Sequence, residues 1–251
     1  MTDYHDLLQK HFSHQAGLYD HQTEWRENER ILGCIAEMVG STRGTAVDLG
    51  TGTGIIAQRI SQLACSVVGV DISFQMLQRA KSKNLSVLQG NINHLPFRDR
   101  SVDLCSMRQV FHYLENEVDV VNEISRILKP AGVLICADVV VADEMDLAFW
   151  KEVKSIVQPL RRRVYGRRVH RDLLEPLGFK ITQEQIVNIW REDSWGVFLQ
   201  NVPADENLKL RLSQLLQSAE KGGVGFPFTL SESGVKYLQC WAITRTERAT
   251  R

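Results

Sequence analysis

Three glycines at alternate positions, Gly50, Gly52 and Gly54, close the stretch VDLGTGTG, and an acid, Asp48, stands two residues ahead of them. Glycine admits positive φ and lets a backbone approach a ligand closely. A helix behind such a turn offers free N–H groups at its start. Dinucleotides use these features in the order GxGxxG, and here the third glycine comes one residue early. A carboxylate at the strand end is a second departure, because it repels an approaching pyrophosphate. Asp48 instead favours a ligand that carries positive charge. Asp71 follows Gly50 by 21 residues, and an acid at the end of the next strand accepts hydrogen bonds from both hydroxyls of a ribose.

A ligand with a ribose and positive charge is S-adenosylmethionine, which carries an ammonium and a sulfonium. Methyl transfer from a sulfonium needs alignment of nucleophile, methyl and sulfur, and a base when the acceptor must lose a proton. His112, in RQVFHYL, is the best-placed candidate base, since imidazole titrates near neutrality; a histidine packed under the site is the plainer alternative. Arg108 and Gln109, at the mouth of the fourth strand, are candidates to touch the cofactor carboxylate or the substrate. RRRVYGRRVHR places six arginines between Arg161 and Arg171. Arginine forks suit carboxylates and phosphates, so the segment points to an acidic or phosphorylated acceptor or, more plainly, to a salt-bridged helix face. His5, His11, His14 and His21 match no standard metal spacing, and no metal is expected.

The elements that must position these residues alternate. TAVDLG, SVVGVDIS, LSVLQG, SVDLCSM and VLICADVVV read as strands. IIAQRISQLA, SFQMLQRAKS and ENEVDVVNEISRILK read as helices at the 3.6 period, the second capped by Ser73. Repeated strand–helix units imply a parallel sheet with helices on both faces. Ligands in such sheets sit beyond the carboxyl ends of the strands, here near Gly50, Asp71, Asn91 and Met107. Outside the core lie a helix from about Trp25 to Val39 behind a polar segment, a helical arginine-rich stretch over 142–178, the helix ENLKLRLSQLLQSAE and a last strand, VKYLQCWAITRT.

The bulk composition bounds the function. The chain has 251 residues and 43% hydrophobic content, enough for a large core, and 30 basic side chains balance 30 acidic ones. No global field draws it to nucleic acid or membrane, and no apolar run nears the roughly 18 residues of a span. The N-terminus has no signal-peptide core. Five scattered cysteines, with no CxxC pair, read as buried thiols of a cytoplasmic protein. The tail aromatics Trp190, Trp195, Phe198, Phe226, Phe228 and Trp241 are candidates for an apolar pocket, or plain core.

Five ordered stretches resemble the class I S-adenosylmethionine-dependent methyltransferases, in the small-molecule branch with the ubiquinone/menaquinone and biotin-synthesis enzymes (the type 11 methyltransferase domain): VDLGTGTG, VVGVDISFQML, GNINHLPF, SVDLCSMRQVFHYL and EISRILKPAGVLI. The resemblance implies that Asp48, Gly50, Thr51 and Gly52 hold the methionine end, that Asp71 holds the ribose, and that Ile72 and Met76 flank the adenine. It places Asn91 and Ile92 at the adenine amino group, with Asn91 standing where the family commonly has Asp. It likens QAGLYDHQTEW to an N-terminal lid, making Tyr19 a lid residue able to reach cofactor or substrate. The implied fold is α/β: a Rossmann-like, seven-stranded, mostly parallel sheet with helices on both faces and N-terminal and inter-strand helical lids. One domain is expected over 1–251, with lid helices in 1–40, the cofactor core in 41–141 and lid insertions and last strands in 142–251. The implied activity is methyl transfer to carbon, oxygen or nitrogen of a small or medium-sized organic acceptor, with S-adenosylhomocysteine as product. A catalytically silent cofactor-binding protein and a nicotinamide-dependent reductase are the alternatives. A nucleic-acid acceptor is disfavoured, since SMRQ stands where amino-methylating enzymes have Asn/Asp-Pro-Pro-aromatic. A homodimer is left open.

Overall fold

The structure, a computed structural model, describes residues 3–19, 27–63 and 65–249, the side chains of 17–19 and 65 excepted. Two helices precede the sheet, α1 (Tyr4–Tyr19) and α2 (Glu29–Val39). The segment read as merely polar is therefore largely helical. Its helix is settled by tertiary contacts: Leu8 and Ala16 are buried, and the Tyr4 hydroxyl donates to the carbonyls of Tyr113 and Leu160 at 2.9 and 2.8 Å. In α2, Asn28 caps the first turn through its Oδ1, and Ile31, Leu32, Ile35, Met38 and Val39 form one buried stripe.

The sheet then builds through β1 (Gly44–Leu49), α3 (Ile55–Ser61), β2 (Cys65–Asp71), α4 (Phe74–Ser82), β3 (Ser86–Gln89), β4 (Val102–Arg108), α5 (Glu117–Ile127) and β5 (Leu128–Val140). After it come α6 (Leu147–Val157), α7 (Val169–Leu174), β6 (Phe179–Ser194), α8 (Trp195–Leu199), α9 (Glu206–Ser218), β7 (Phe228–Leu230) and β8 (Gly234–Arg248). The strand order is β3-β2-β1-β4-β5-β8-β6. The first five strands run parallel, and β8 lies antiparallel between β5 and β6.

Period-2 alternation divides the core. Val133, Ile135 and Ala137 of β5 pack with α2 and α3 on one face. Leu134 and Cys136 pack with α5 and Leu174 of α7 on the other. A third cluster joins Trp150, Val153 and Val157 of α6 to Phe198, Leu212, Leu216, Val235 and Tyr237, and forms the core of the lid. The tail aromatics accordingly separate. Trp241 is main core and Phe198 is lid core, whereas Trp190 is exposed beneath Lys236.

Two details depart from the sequence expectation. The sheet has eight strands, not seven: β8 outlasts β5, whose pairing ends at Val140↔Cys240, and the short β7 covers the open edge at Val235–Tyr237. The arginine-rich stretch is helical in α6 but not from 158 to 168. Pro159 follows the end of α6 and disfavours the α region before it, and Gly166 is drawn into a bridge with Val141.

Gly54 caps α3 with φ +85°, and a Cβ there would collide with Leu85 and Ala80. Gly54→Ala is expected to lower stability by roughly 1–3 kcal/mol, measured as a lower urea midpoint at unchanged slope.

Candidate functional site

A cavity of about 200 Å³ opens at the carboxyl ends of β1 to β4. Its floor on one side is Gly50, Gly52, Asp71, Ile72, Met76, Gly90, Asn91 and Ile92, and Arg108 and His112 line it further along. Asp71 ties two loops together. Its Oδ2 accepts the Gly52 amide and its Oδ1 the Ser73 amide, both at 2.8 Å. Burial raises the Asp71 pKa against those bonds. Ser73 in turn caps α4 by accepting from the Met76 amide, so Met76 reaches the wall from the first turn of a fixed helix. Asn91 Oδ1 accepts the Asn93 amide at 3.0 Å, a local turn that orients the loop after β3.

Asp48 stands behind the turn. It does not line the cavity, is 2% exposed, and has both oxygens engaged: Oδ2 by the Thr51 hydroxyl at 2.7 Å and Oδ1 by the Ser106 hydroxyl at 2.6 Å. The register explains this, since Asp48 pairs with Ser106 of β4 on one side and Gly69 of β2 on the other. A Cβ at Gly69 would press on Thr51. Burial pushes the Asp48 carboxyl up to about 6, against hydrogen bonds from Ser106, Thr51 and the Ala57 backbone. The carboxylate expected to face a cation thus braces the glycine turn, with Thr51, also off the cavity wall, as part of the brace.

The other half of the cavity carries side chains from distant elements. His112 is 1% exposed, and its Nδ1 stands 3.6 Å from Asp138 Oδ1, longer than a hydrogen bond. Asp138 Oδ2 meets His170 Nε2 at 3.2 Å, and His170 Nδ1 meets the Thr244 hydroxyl at 2.8 Å. Burial, aided by the charge of Arg161, brings the His112 pKa down to about 4. For Asp138, burial acts upward, but His112 and His170 outweigh it and hold the carboxyl at about 2. Near neutral pH the pair is an ionised Asp138 beside a neutral His112. Lys154, Arg161 and Arg191 also line this half, with Arg191 held by Asp193 at 2.7 Å.

Of the expected residues, Gly50, Gly52, Asp71, Ile72, Met76, Asn91, Ile92, Arg108 and His112 are brought together on one wall system. Arg108 also stands over the Trp241 ring at 5.2 Å. Tyr19 ends α1, but its side chain lies outside the described residues, as does His21. Leu8, His11 and Phe12 of α1 do line the cavity, so the N-terminal helix covers it. Asp3, His5 and Glu115 each bring one donor atom to within 4.8 Å of one another at its rim, where Arg162 takes Glu115 at 2.7 Å. The arginine run splits: Arg162 and Arg163 pair outward with Glu115 and Glu117, while Arg161 turns inward. Asp138, His170, Lys154 and Arg191 were not found in the sequence. Two had a signal: Asp138 interrupts the apolar run LICADVVV, and Lys154 sits in the apolar stripe of Trp150, Val153 and Val157.

Comparison with known proteins matches residues 47–136 to the methyltransferase domain family. Over those residues, which run from β1 to β5, the chain is similar to that family. It is 30% identical over 123 residues to a malonyl-[acyl-carrier protein] O-methyltransferase of Hamiltonella defensa, covering 47% of this chain and 48% of that one. It is 32% identical over 86 residues to a demethylmenaquinone methyltransferase of Corynebacterium kroppenstedtii, covering 34% and 38%. The chain thus spans about half the length, or less, of these curated relatives. Its fold is similar to that of the YcgJ protein of Bacillus subtilis, with a TM-score of 0.73 at 18% identity, over 89% of this chain and 100% of that one. The matched segment runs from the strand before the glycine turn to Cys136 in β5 and omits the lid.

A carboxyl held at about 6 when folded, against 3.8 in the open chain, stabilises the fold below its unfolded pKa and loses that contribution as pH rises through the folded one. Asp48→Asn has no such loss. The stability of the variant relative to the parent should therefore rise between about pH 4 and pH 7, by up to roughly 3 kcal/mol. His112 and Asp138 contribute equally to both chains. Urea unfolding of the two proteins across that range measures the difference, and a flat or falling one contradicts the assignment.

Proposed function

We propose that the protein transfers a methyl group from S-adenosylmethionine to a small or medium-sized organic acceptor and releases S-adenosylhomocysteine. The observation that carries this reading is one cavity wall made at once of the glycine turn, Asp71, the Ile72–Met76 pair and the Asn91 loop. The groups present fit that cofactor. Asp71 accepts one amide on each oxygen, and each carboxylate oxygen keeps a second lone pair for a ribose hydroxyl. Ile72 and Met76 offer apolar faces for adenine, and the Asn91 amide offers hydrogen-bonding capacity beside them. Arg108, on the wall at the end of β4, suits the cofactor carboxylate. When bound, the cofactor supplies an activated methyl group.

The chain's own part is to align the acceptor, exclude water and hold a proton where one must leave. Helix α1 and the lid enclose the reacting region. His112 is neutral near pH 7, since its pKa is held to about 4, so its ring is free to accept a proton. Asp138 beside Nδ1 stabilises the imidazolium that results. The low pKa makes His112 a weak base, and this suits an acceptor that sheds its proton only as the new bond forms. Tyr19, at the end of α1, is assigned to the lid. The free thiols at Cys34, Cys105, Cys136 and Cys240 agree with a reducing cytoplasm. No helix among the described residues is long and apolar enough to cross a membrane.

Titration calorimetry with S-adenosylhomocysteine tests the reading: saturable binding is expected, at least tenfold weaker in Asp71→Ala, and no binding at millimolar concentration overturns it. With an acceptor in hand, His112→Gln should lower kcat by about 100-fold or more for a base role while leaving cofactor affinity within about threefold.

A further inference from the structure

Lys154 and Arg161 present an electrostatic problem that the cofactor site does not solve. Lys154 is 8% exposed, and burial, together with the charges of Arg191 and Arg161, holds its pKa well below the ordinary lysine value. Burial lowers that of Arg161 as well. No carboxylate among the described residues lies within ion-pair distance of either. Lys154 has the Trp150 ring at 5.0 Å. Arg161 donates to the Arg163 carbonyl at 2.9 Å and to Gln158 Oε1 at 3.3 Å. These partners are neutral. Two cationic groups this close, with no carboxylate beside them, make a place that an anion would stabilise.

Their location says where that anion belongs. Both residues line the main cavity together with His112. Both also line a smaller adjoining chamber of about 40 Å³, whose other walls include Val139, Val141, Val164 and Phe226. The Tyr237 hydroxyl, buried and without a hydrogen-bond partner among the described residues, belongs to the same chamber. Lys154 and Arg161 also line a third recess, with Lys151, Arg162 and Arg163. The two cations thus stand where the main cavity, the smaller chamber and this recess meet.

We propose that Lys154 and Arg161 bind the carboxylate of the methyl acceptor, a small organic acid whose compact apolar part occupies the adjoining chamber. This rests on the methyltransferase reading above. Arg191 is already held by Asp193, so Lys154 and Arg161 are the cations of this half that a carboxylate would meet. Lys154 brings a compact charge and Arg161 a planar fork matched to carboxylate geometry. Arg162 and Arg163 are paired with Glu115 and Glu117, so the attraction for an acid comes from Lys154 and Arg161 themselves and weakens as salt rises. Anchoring the acid here leaves the rest of the acceptor within the cavity that His112 also lines.

The test uses the full chain, with and without saturating S-adenosylhomocysteine, and three probes: benzoate, benzamide as its uncharged counterpart, and inorganic phosphate. Calorimetry should show saturable benzoate binding that weakens at least tenfold in Lys154→Met and in Arg161→Met, and at least threefold from low to high salt. Benzamide should bind at least tenfold more weakly. Lys154→Met should also raise the melting temperature of the ligand-free protein, because it removes an unbalanced buried charge; Arg161→Lys serves as a milder second variant if Arg161→Met does not fold. Equal binding of benzoate and benzamide, no benzoate binding, unchanged affinity in the variants, or a lower melting temperature for Lys154→Met overturns the proposal. Phosphate binding with the same variant sensitivity and no benzoate binding overturns the choice of a carboxylate. If S-adenosylhomocysteine fails to bind but benzoate behaves as described, the anion site stands and the methyltransferase reading falls.

Discussion

The site depends on one carboxylate that spans two loops. Asp71 ends β2 and accepts the amides of Gly52, in the turn after β1, and of Ser73, at the start of α4. The Thr51 amide adds a bond to the Val70 carbonyl, so the glycine turn is held to the neighbouring strand at two points. Without these bonds the turn after β1 and the cap of α4 would be independent loops. With them, the floor of the cavity is one connected piece of backbone. Asp48 works beneath it in the same sense, drawing the Thr51 and Ser106 hydroxyls together from two strands.

The cavity is electrostatically divided. The half at the ends of β1 to β3 is built of backbone amides, one buried acid and apolar side chains from consecutive strand ends. Its far half gathers His112, Lys154, Arg161 and Arg191, delivered by the segment after β4, by α6, by the loop behind it and by β6. Asp138 reaches His112 and His170 at once, tying the segment after β4 to α7. The two halves meet at Arg108 and Gln109, where the backbone turns sharply: Gln109 takes φ +62° and donates its amide to Ala137 of the next strand.

The legibility of the chain follows this division. Asp48, Gly50, Gly52 and Asp71 lie within one strand–turn–helix–strand unit, so their spacing along the chain maps directly onto spacing in space. That is why the turn, Asp71 and the Ile72–Met76 pair were readable as neighbours, and why the family match covers residues 47–136. The role of Asp48 was read less well. Its carboxylate faces Ser106 rather than a ligand, and that contact depends on the register of β1 against β4, 58 residues apart in the chain. The arginine run misled by composition. Six neighbouring arginines suggested one surface, but Pro159 and the Gly166 bridge break the helix and send Arg161 inward and Arg162 outward.

The sequence by itself determined the parallel strand–helix units, the place of the cavity at their carboxyl ends, and most of the wall from Gly50 to Ile92, because local period, turn chemistry and short loops leave few other arrangements. Only the tertiary structure decided the far half of the cavity. Lys154 and Trp150 belong to α6, Arg161 to a loop, Asp138 to β5 and Tyr237 to β8, and no period links them. They meet because β8 inserts antiparallel between β5 and β6 and carries the lid core over the strand ends. The charges gathered there are a property of that packing and of no single segment.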